Sequence, residues 1–381
     1  MKIAVIGAGT VGVLSVCHFL GYNKNTQITC IHNPKKNILG IGESSTVRMT
    51  ELLWNTLNFN VGLDGEDLQC TIKAGVKFKN WREHEFTSPM FFPGYGMHFD
   101  NFKLAEVIFS RVYKKYKERF TELKIDIESL EQNNKEVIVN KTHKFDYVID
   151  CRGFPKDYSD YTMVTLPINH CLVYAVNEPG NWNFTYHTAH ENGWMFGIPL
   201  QKRQGWGYLY NDEITSKDNA LKNFKEITNK NINIDNVREY TFKPFKAKKY
   251  VNQRIMLNGN SALFYEPIEA ISGGFYDSLN VLYYEYIFNK TFNERDINFN
   301  ISYMADKYIN FISYLYQGGS IYNTDFWNHA KEICTENLKN NNWLETIKTI
   351  KQQKENVSRF PLSCDAWRIL DKNLYNGKTF K

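Results

Sequence analysis

The sequence predicts an α/β fold that opens on a parallel βαβ unit, and three observations carry that expectation. The first is "KIAVI" (2–6), a short β-branched apolar run. The second is the series Gly7, Gly9 and Gly12, which opens an apolar-periodic stretch containing Val13, Leu14, Val16, Cys17 and Leu20. The third is "QITCI" (27–31), a further β-branched run one helix length later. Strand, glycine turn, helix and strand in this order form the dinucleotide-binding arrangement in its required context. Gly7 allows the tight turn, Gly9 lets the backbone approach a pyrophosphate, and Gly12 lets the helix lie close to the strand. The helix N-terminus then faces the phosphates with free N–H groups and a dipole that favours negative charge. The acidic residue that ordinarily ends the second strand is absent, and His32 and Asn33 stand there instead.

Downstream, "GIGESSTVRMTELL" (40–53) reads as a glycine-rich turn entering a helix, with Ser45 or Thr46 as N-cap. "CTIKAGVKFKNW" (70–81) alternates: Cys70, Ile72, Ala74, Val76 and Phe78 share one side, and Thr71, Lys73, Gly75, Lys77 and Lys79 the other. Period-2 alternation predicts a half-buried strand, and taken alone its lysine row is a solvated edge. Residues 102–120 carry Leu104, Val107, Ile108 and Val112 at helical spacing. "HKFDYVIDCRGF" (143–154) is a strand ending in a turn, and 263–279 begins as a loop and becomes a helix. The region after 330 reads as helical, broken at 340–342, with Trp343, Leu344 and Ile347 as a small apolar face. No Pro/Gly linker divides the chain. The expected organisation is one interleaved core over 1–330 and a helical cap over 331–381.

Composition narrows the function classes. Hydrophobic residues at 43% are enough for a sizeable core, and 26 Phe, 24 Tyr and 8 Trp suit either flat ligands or ordinary packing. A net charge of +5, mixed along 381 residues, lacks the basic stripe of a nucleic-acid binder. Seven cysteines without CxxC spacing support neither a metal site nor a disulfide framework, and reduced thiols fit a cytoplasmic protein. The start "MKIAVIGAG" runs straight into a strand, so no secretory signal is expected, and no apolar run reaches the ~18 residues of a membrane span. Cys151 looks like a nucleophile in isolation, yet a buried cysteine is more often inert.

Several motifs now agree in order: the glycine turn, "GES" (42–44), "KAGVKFKNW" (73–81), "IDCRGF" (149–154), "GWMFGIPL" (193–200) followed by "GWGYLY" (205–210), and "EPIEA" (266–270). This series resembles the flavin-dependent halogenases of the tryptophan-halogenase family over residues 1–280, with a fainter echo in "NTDFWNHA" (323–330). The resemblance implies a GR2-type FAD-binding fold with an interleaved β-sheet substrate region. It implies FAD, used as FADH2 from a separate flavin reductase, a halide ion (chloride, bromide or iodide), and a small aromatic substrate of indole or phenol type. It places the reactive lysine at Lys73 and the catalytic carboxylate at Glu269, in Pro267-Ile268-Glu269. The flavin would be held by Gly7, Gly9, Gly12, His32, Gly42, Glu43, Ser44, Asp150, Gly153, Gly259 and Asn260. The halide would rest on the backbone of Ile271, Ser272 and Gly273. The family's Trp-x-Trp-x-Ile-Pro motif stands here as Trp194, Phe196, Ile198 and Pro199, its second tryptophan replaced.

The chemistry accounts for these residue types. Reduced flavin and O₂ oxidise halide to hypohalous acid, which must reach an electron-rich ring without escaping. A lysine holds it by hydrogen bond or as a haloamine, and a carboxylate accepts the proton that the ring loses. Lys73 is therefore expected to point inward while Lys79 stays at the surface. Rival readings exist: a structural Lys73–Glu269 ion pair, core aromatics at Trp194 and Phe196, and Asp150 as a capping residue. At the level of function the rivals are a flavin monooxygenase and a non-catalytic FAD-binding protein. The glycines at 273 and 274 predict bromide or iodide in preference to chloride. A C-terminus shorter than the family's predicts an open pocket for aromatics other than free tryptophan.

Overall fold

The computed structural model describes residues 1–36, 38, 40–90, 94–228, 232–352 and 364–380. Its nucleotide half is a six-stranded sheet. Five strands are parallel, in the order Phe120–Leu123, Gln27–Ile31, Lys2–Ile6, Tyr147–Asp150 and Ile255–Leu257, and Val251–Asn252 closes one edge antiparallel. Parallel strands are covered on both faces, which is why "IAVI" is apolar without alternation. Ile3 and Val5 pack in the main core with the helix Thr10–Tyr22. Ala4 and Ile6 face the opposite way, onto a small sheet that contributes Val137, Val139 and Phe145.

The second half is a seven-stranded sheet in the order Arg238–Thr241, His170–Val176, Gln204–Tyr210, Gly193–Pro199, Phe184–His190, Gly75–Lys79 and Phe86–Pro89. All its pairings are antiparallel except that of Phe184–His190 with Gly75–Lys79. Behind it, the helix Glu294–Gly318 packs on Asp325–Asn340 and Cys364–Leu374. Arg82, just after the lysine strand, donates to the carbonyls of Gly318 and Gly319, tying that turn to the helices.

The chain differs from the sequence expectation in four places. The segment 70–81 is two strands, not one. Thr71–Lys73 pairs with Gly96–His98, and Gly75–Lys79 joins the large sheet. The break falls at Ala74, just before Gly75, whose φ of +155° and approach to the Ser88 carbonyl exclude a side chain. The break resets the alternation, so Ile72 turns outward at 46% exposure while Lys73 is buried at 1%. Thr46 is the N-cap of Val47–Leu57 by position, but its hydroxyl bonds Asp277 instead of a helix N–H. Leu344 is exposed, and the apolar face of Trp343–Gln352 is made by Trp343, Ile347 and Ile350. The expected boundary at 330/331 falls inside the helix Asp325–Asn340. Among the described residues, no helix is long and apolar enough to cross a membrane.

Candidate active site

A cavity of about 2390 Å³ is lined by both the glycine turn and Lys73. That is more than twice the usual upper size of a small-molecule pocket, and is room for a dinucleotide together with a second ligand. The glycines along it divide into two kinds. A Cβ on Gly12 would lie 1.9 Å from the Gly7 carbonyl oxygen, and one on Gly7 2.5 Å from that of Cys151. Those two are required by the packing of turn against helix. A Cβ on Gly9, Gly42 or Gly153 would meet nothing within 4 Å, because each borders the cavity. The helix Thr10–Tyr22 has no side-chain cap and no acid in its first turn, leaving its N–H groups for an anion. The donors and the open cradle fit the pyrophosphate of an FAD.

Around this cradle lie Ser44, Asp150, Gly259 and Asn260. Asp150 accepts from the Arg152 guanidinium at 2.7 and 2.9 Å, and Asn260 accepts from the Tyr276 hydroxyl at 2.8 Å. Glu43 does not border the cavity. It is buried, paired through both oxygens with Arg203, and accepts the Asn101 N–H, so it braces the 40–46 turn from behind.

His32 does border the cavity, and its Nε2 lies 2.6 Å from Oε1 of Glu122. Glu122 also lines it, on the strand next to Gln27–Ile31 and opposite Cys30. Its second oxygen accepts from the Tyr113 hydroxyl at 3.1 Å. The acid missing from the end of the second strand is thus present one strand over. Sequence reasoning passed over it, although "FTEL" (120–123) following a helix was the signal for a third parallel strand.

On the cavity wall, the Lys73 ammonium donates to the Ser45 carbonyl at 3.3 Å. Burial pushes its pKa down, and the nearby Glu269 pushes it back up. Burial pushes Glu269 up, while Lys73 and a hydrogen bond with Ser88 oppose the rise. Burial draws the proton affinities of the two groups toward each other. Glu269 Oε1 is buried without a hydrogen-bond partner, and the residue itself does not border the cavity, although Pro267 and Ala270 on either side of it do. His98 and His187 are held neutral by burial and by the lysine's charge. Glu269 and Ala270 both take left-handed backbone, at φ of 56° and 53°, and turn the chain into the helix Ile271–Tyr284. That helix likewise lacks a side-chain cap and a first-turn acid. Ser272 and Gly273 border the cavity, whereas Ile271, expected to share the halide, has its side chain in the core and its N–H donated to the Ile268 carbonyl.

Of the Trp-x-Phe-x-Ile-Pro residues, Phe196 and Ile198 border the cavity. Trp194 sits in the core, donating through Nε1 to the Tyr316 hydroxyl at 2.6 Å, and the Pro199 carbonyl accepts from Thr71. Cys151 borders the cavity too, but burial pushes its thiol well up, so it is no thiolate nucleophile. Among the described residues, no cluster of His, Cys, Asp or Glu is placed to hold a metal ion.

The family model for tryptophan halogenase matches residues 2–150 and 126–361. The chain belongs to the tryptophan halogenase family. It is 21% identical over 421 residues to tryptophan 7-halogenase KtzQ from Kutzneria sp., covering 87% of this chain and 79% of that protein. It is 21% identical over 423 residues to tryptophan 7-halogenase RebH from Lentzea aerocolonigenes, with the same coverage. The tryptophan halogenase structure from Shewanella frigidimarina superposes with a TM-score of 0.80 at 15% identity, covering 98% of this chain and 88% of that one. BrvH, a flavin-dependent halogenase from Brevundimonas sp. BAL3, superposes with a TM-score of 0.79 at 16% identity, covering 98% and 91%. The architecture of two large sheets with a helical end is therefore the fold of the flavin-dependent halogenases, and this family member is an enzyme of that flavoprotein class.

Proposed function

We propose that this tryptophan halogenase family member oxidises halide with reduced flavin and O₂, and directs the oxidant through Lys73 and Glu269 onto an electron-rich indole or phenol. The observation that carries this reading is that Lys73, on the wall of the nucleotide cavity, is buried in the field of Glu269, which lies just behind that wall between the lining residues Pro267 and Ala270. Bound reduced flavin, delivered by a separate reductase, supplies with O₂ the oxidising power that turns halide into hypohalous acid. The chain does the rest. The uncapped amides of Ser272 and Gly273 offer donors without a countercharge, which suits an anion that must arrive and leave; the Ile271 amide is already given to the Ile268 carbonyl. Lys73 holds the oxidant by hydrogen bond or as a haloamine, and burial favours the neutral amine that the latter needs. Glu269, with Oε1 free, accepts the proton lost from the ring. Phe196 and Ile198 give the cavity an apolar wall.

Glu269→Gln should lower halogenation by about 10²-fold, as expected for a positioned proton acceptor, while flavin affinity stays unchanged. Product formation and flavin fluorescence measured on the same preparation check both halves. A variant that loses the flavin would make Glu269 a structural residue.

The pair His32 and Glu122 takes the ribose-binding place of the usual strand-end acid. Glu122→Ala should weaken FAD binding by about tenfold, the worth of one charge-assisted hydrogen bond. Fluorescence titration reads it, and unchanged affinity would remove Glu122 from the cofactor site. For the halide, a Cβ on Gly273 would meet nothing, so no side chain crowds a large anion there. Larger halides also lose their water at lower cost. Bromide and iodide should therefore outcompete chloride in an equimolar mixture, and chlorinated product in excess would contradict this.

A further inference from the structure

One buried carboxyl in the cavity has no part in the chemistry above. Glu266 borders the same cavity as Lys73, three residues before Glu269, and its side chain is closed off from solvent at 0% exposure. Its hydrogen bonding fixes where a proton must sit. The Trp194 indole is a donor only, and it donates to the Tyr316 oxygen at 2.6 Å. The single hydroxyl proton of Tyr316 therefore goes to Oε2 of Glu266, at 2.8 Å. Oε2 is thereby an acceptor, so a protonated Glu266 carries its hydrogen on Oε1. That atom is buried and has no hydrogen-bond partner.

The surroundings favour the protonated form. The ionisable groups that face Glu266 are Tyr316, on Glu294–Gly318, and Cys334, on Asp325–Asn340, and burial keeps both neutral. Burial also pushes the Glu266 carboxyl up to about 8, with the Tyr316 hydrogen bond opposing. A buried donor that no protein group meets costs free energy until a ligand supplies an acceptor.

We infer that Glu266 is a ligand-contacting residue, which donates through Oε1 to a carbonyl-type acceptor carried by the aromatic substrate. The inference takes from the proposed function that an aromatic ring enters this chamber. It adds that the ring bears an acceptor on the side facing Glu266, and it makes Glu266 a specificity residue, distinct from the proton acceptor Glu269.

Matched probes test it by equilibrium affinity on the full chain loaded with FAD. The pairs are 3-acetylindole with 3-isopropylindole, and 4-methoxyacetophenone with 4-isopropylanisole, each differing in one carbonyl oxygen. In at least one pair the carbonyl member should bind about tenfold tighter at pH 7, the worth of one satisfied buried hydrogen bond. Glu266→Gln keeps a neutral donor in the same place and should keep the preference; Glu266→Leu should erase it. Above pH 8 the wild type should lose the preference as the carboxyl ionises, and Glu266→Gln should retain it. The pH contrast decides even if the leucine variant fails to fold. No carbonyl preference in either pair, a preference that survives in Glu266→Leu, or one that is lost in Glu266→Gln would each overturn the assignment. Because affinity is read without halide, reductase or turnover, a failed halogenation assay would not be mistaken for failure here.

Discussion

Lys73→Ala should abolish halogenated product, by about 10³-fold or more, while reduced flavin and O₂ are still consumed. The oxidising chemistry belongs to the cofactor, and the lysine acts after it, by holding the oxidant against the ring. Without that hold, the oxidant escapes, and peroxide or free hypohalite should accumulate in solution. A chlorination-sensitive dye or a peroxide assay reads the leak, and mass spectrometry reads the missing product. Folding should survive. The substitution removes a buried ammonium, whose removal from water opposes folding, and leaves Glu269 to protonate, toward which burial already draws it. Lys79→Ala is the control. Its side chain is one-third exposed and lies near Glu85 at the surface, so the change should be nearly silent. Wild-type halogenation by Lys73→Ala would reduce Lys73 to a structural residue.

Gly9→Val should remove flavin binding without unfolding the protein. Gly9 has φ −70° and ψ 178°, a backbone that any residue adopts, and no atom of the chain would meet its Cβ. The valine therefore fills only the space over the helix N-terminus, where a pyrophosphate approaches. Forcing side-chain atoms into occupied space costs roughly 3 kcal/mol, so affinity should fall by about 10²-fold. Gly12→Val should behave oppositely and fail to fold, since its Cβ would sit on the Gly7 carbonyl. Thermal unfolding with flavin titration separates the two. Equal flavin affinity in Gly9→Val and wild type would remove the cofactor from this turn.

These contrasts show what the sequence could and could not display. The nucleotide half was legible because its signals are local: a β-branched run, a glycine series and a helix period lie within 31 residues of chain. The inward direction of Lys73 was not legible from alternation, which grouped it with Lys77 and Lys79. It depends on the strand break at Ala74, next to a glycine that the Ser88 carbonyl of another strand approaches too closely for a side chain. The motif resemblance reached the right side of the strand by another route. Glu43 misled because a conspicuous motif acid can serve as a brace, and only the fold brings Arg203 to it. Glu122 and Glu266 went unmarked for the same reason. Their partners, His32 and Tyr316, are distant in sequence and meet them only after the sheets and the C-terminal helices assemble. The N-cap was narrowed to Ser45 or Thr46; the chain uses Thr46 by position, but its hydroxyl is claimed by Asp277 from a helix some 230 residues later.

The most direct test of the central claim is mass spectrometry of an indole and phenol panel incubated with the protein, FAD, a flavin reductase and bromide. The account predicts products heavier by one bromine in place of hydrogen, showing the paired bromine isotope pattern, and their absence when Lys73→Ala replaces the wild type. Oxygenated products that form equally well without halide, or no enzyme-dependent product despite full flavin binding, would contradict it.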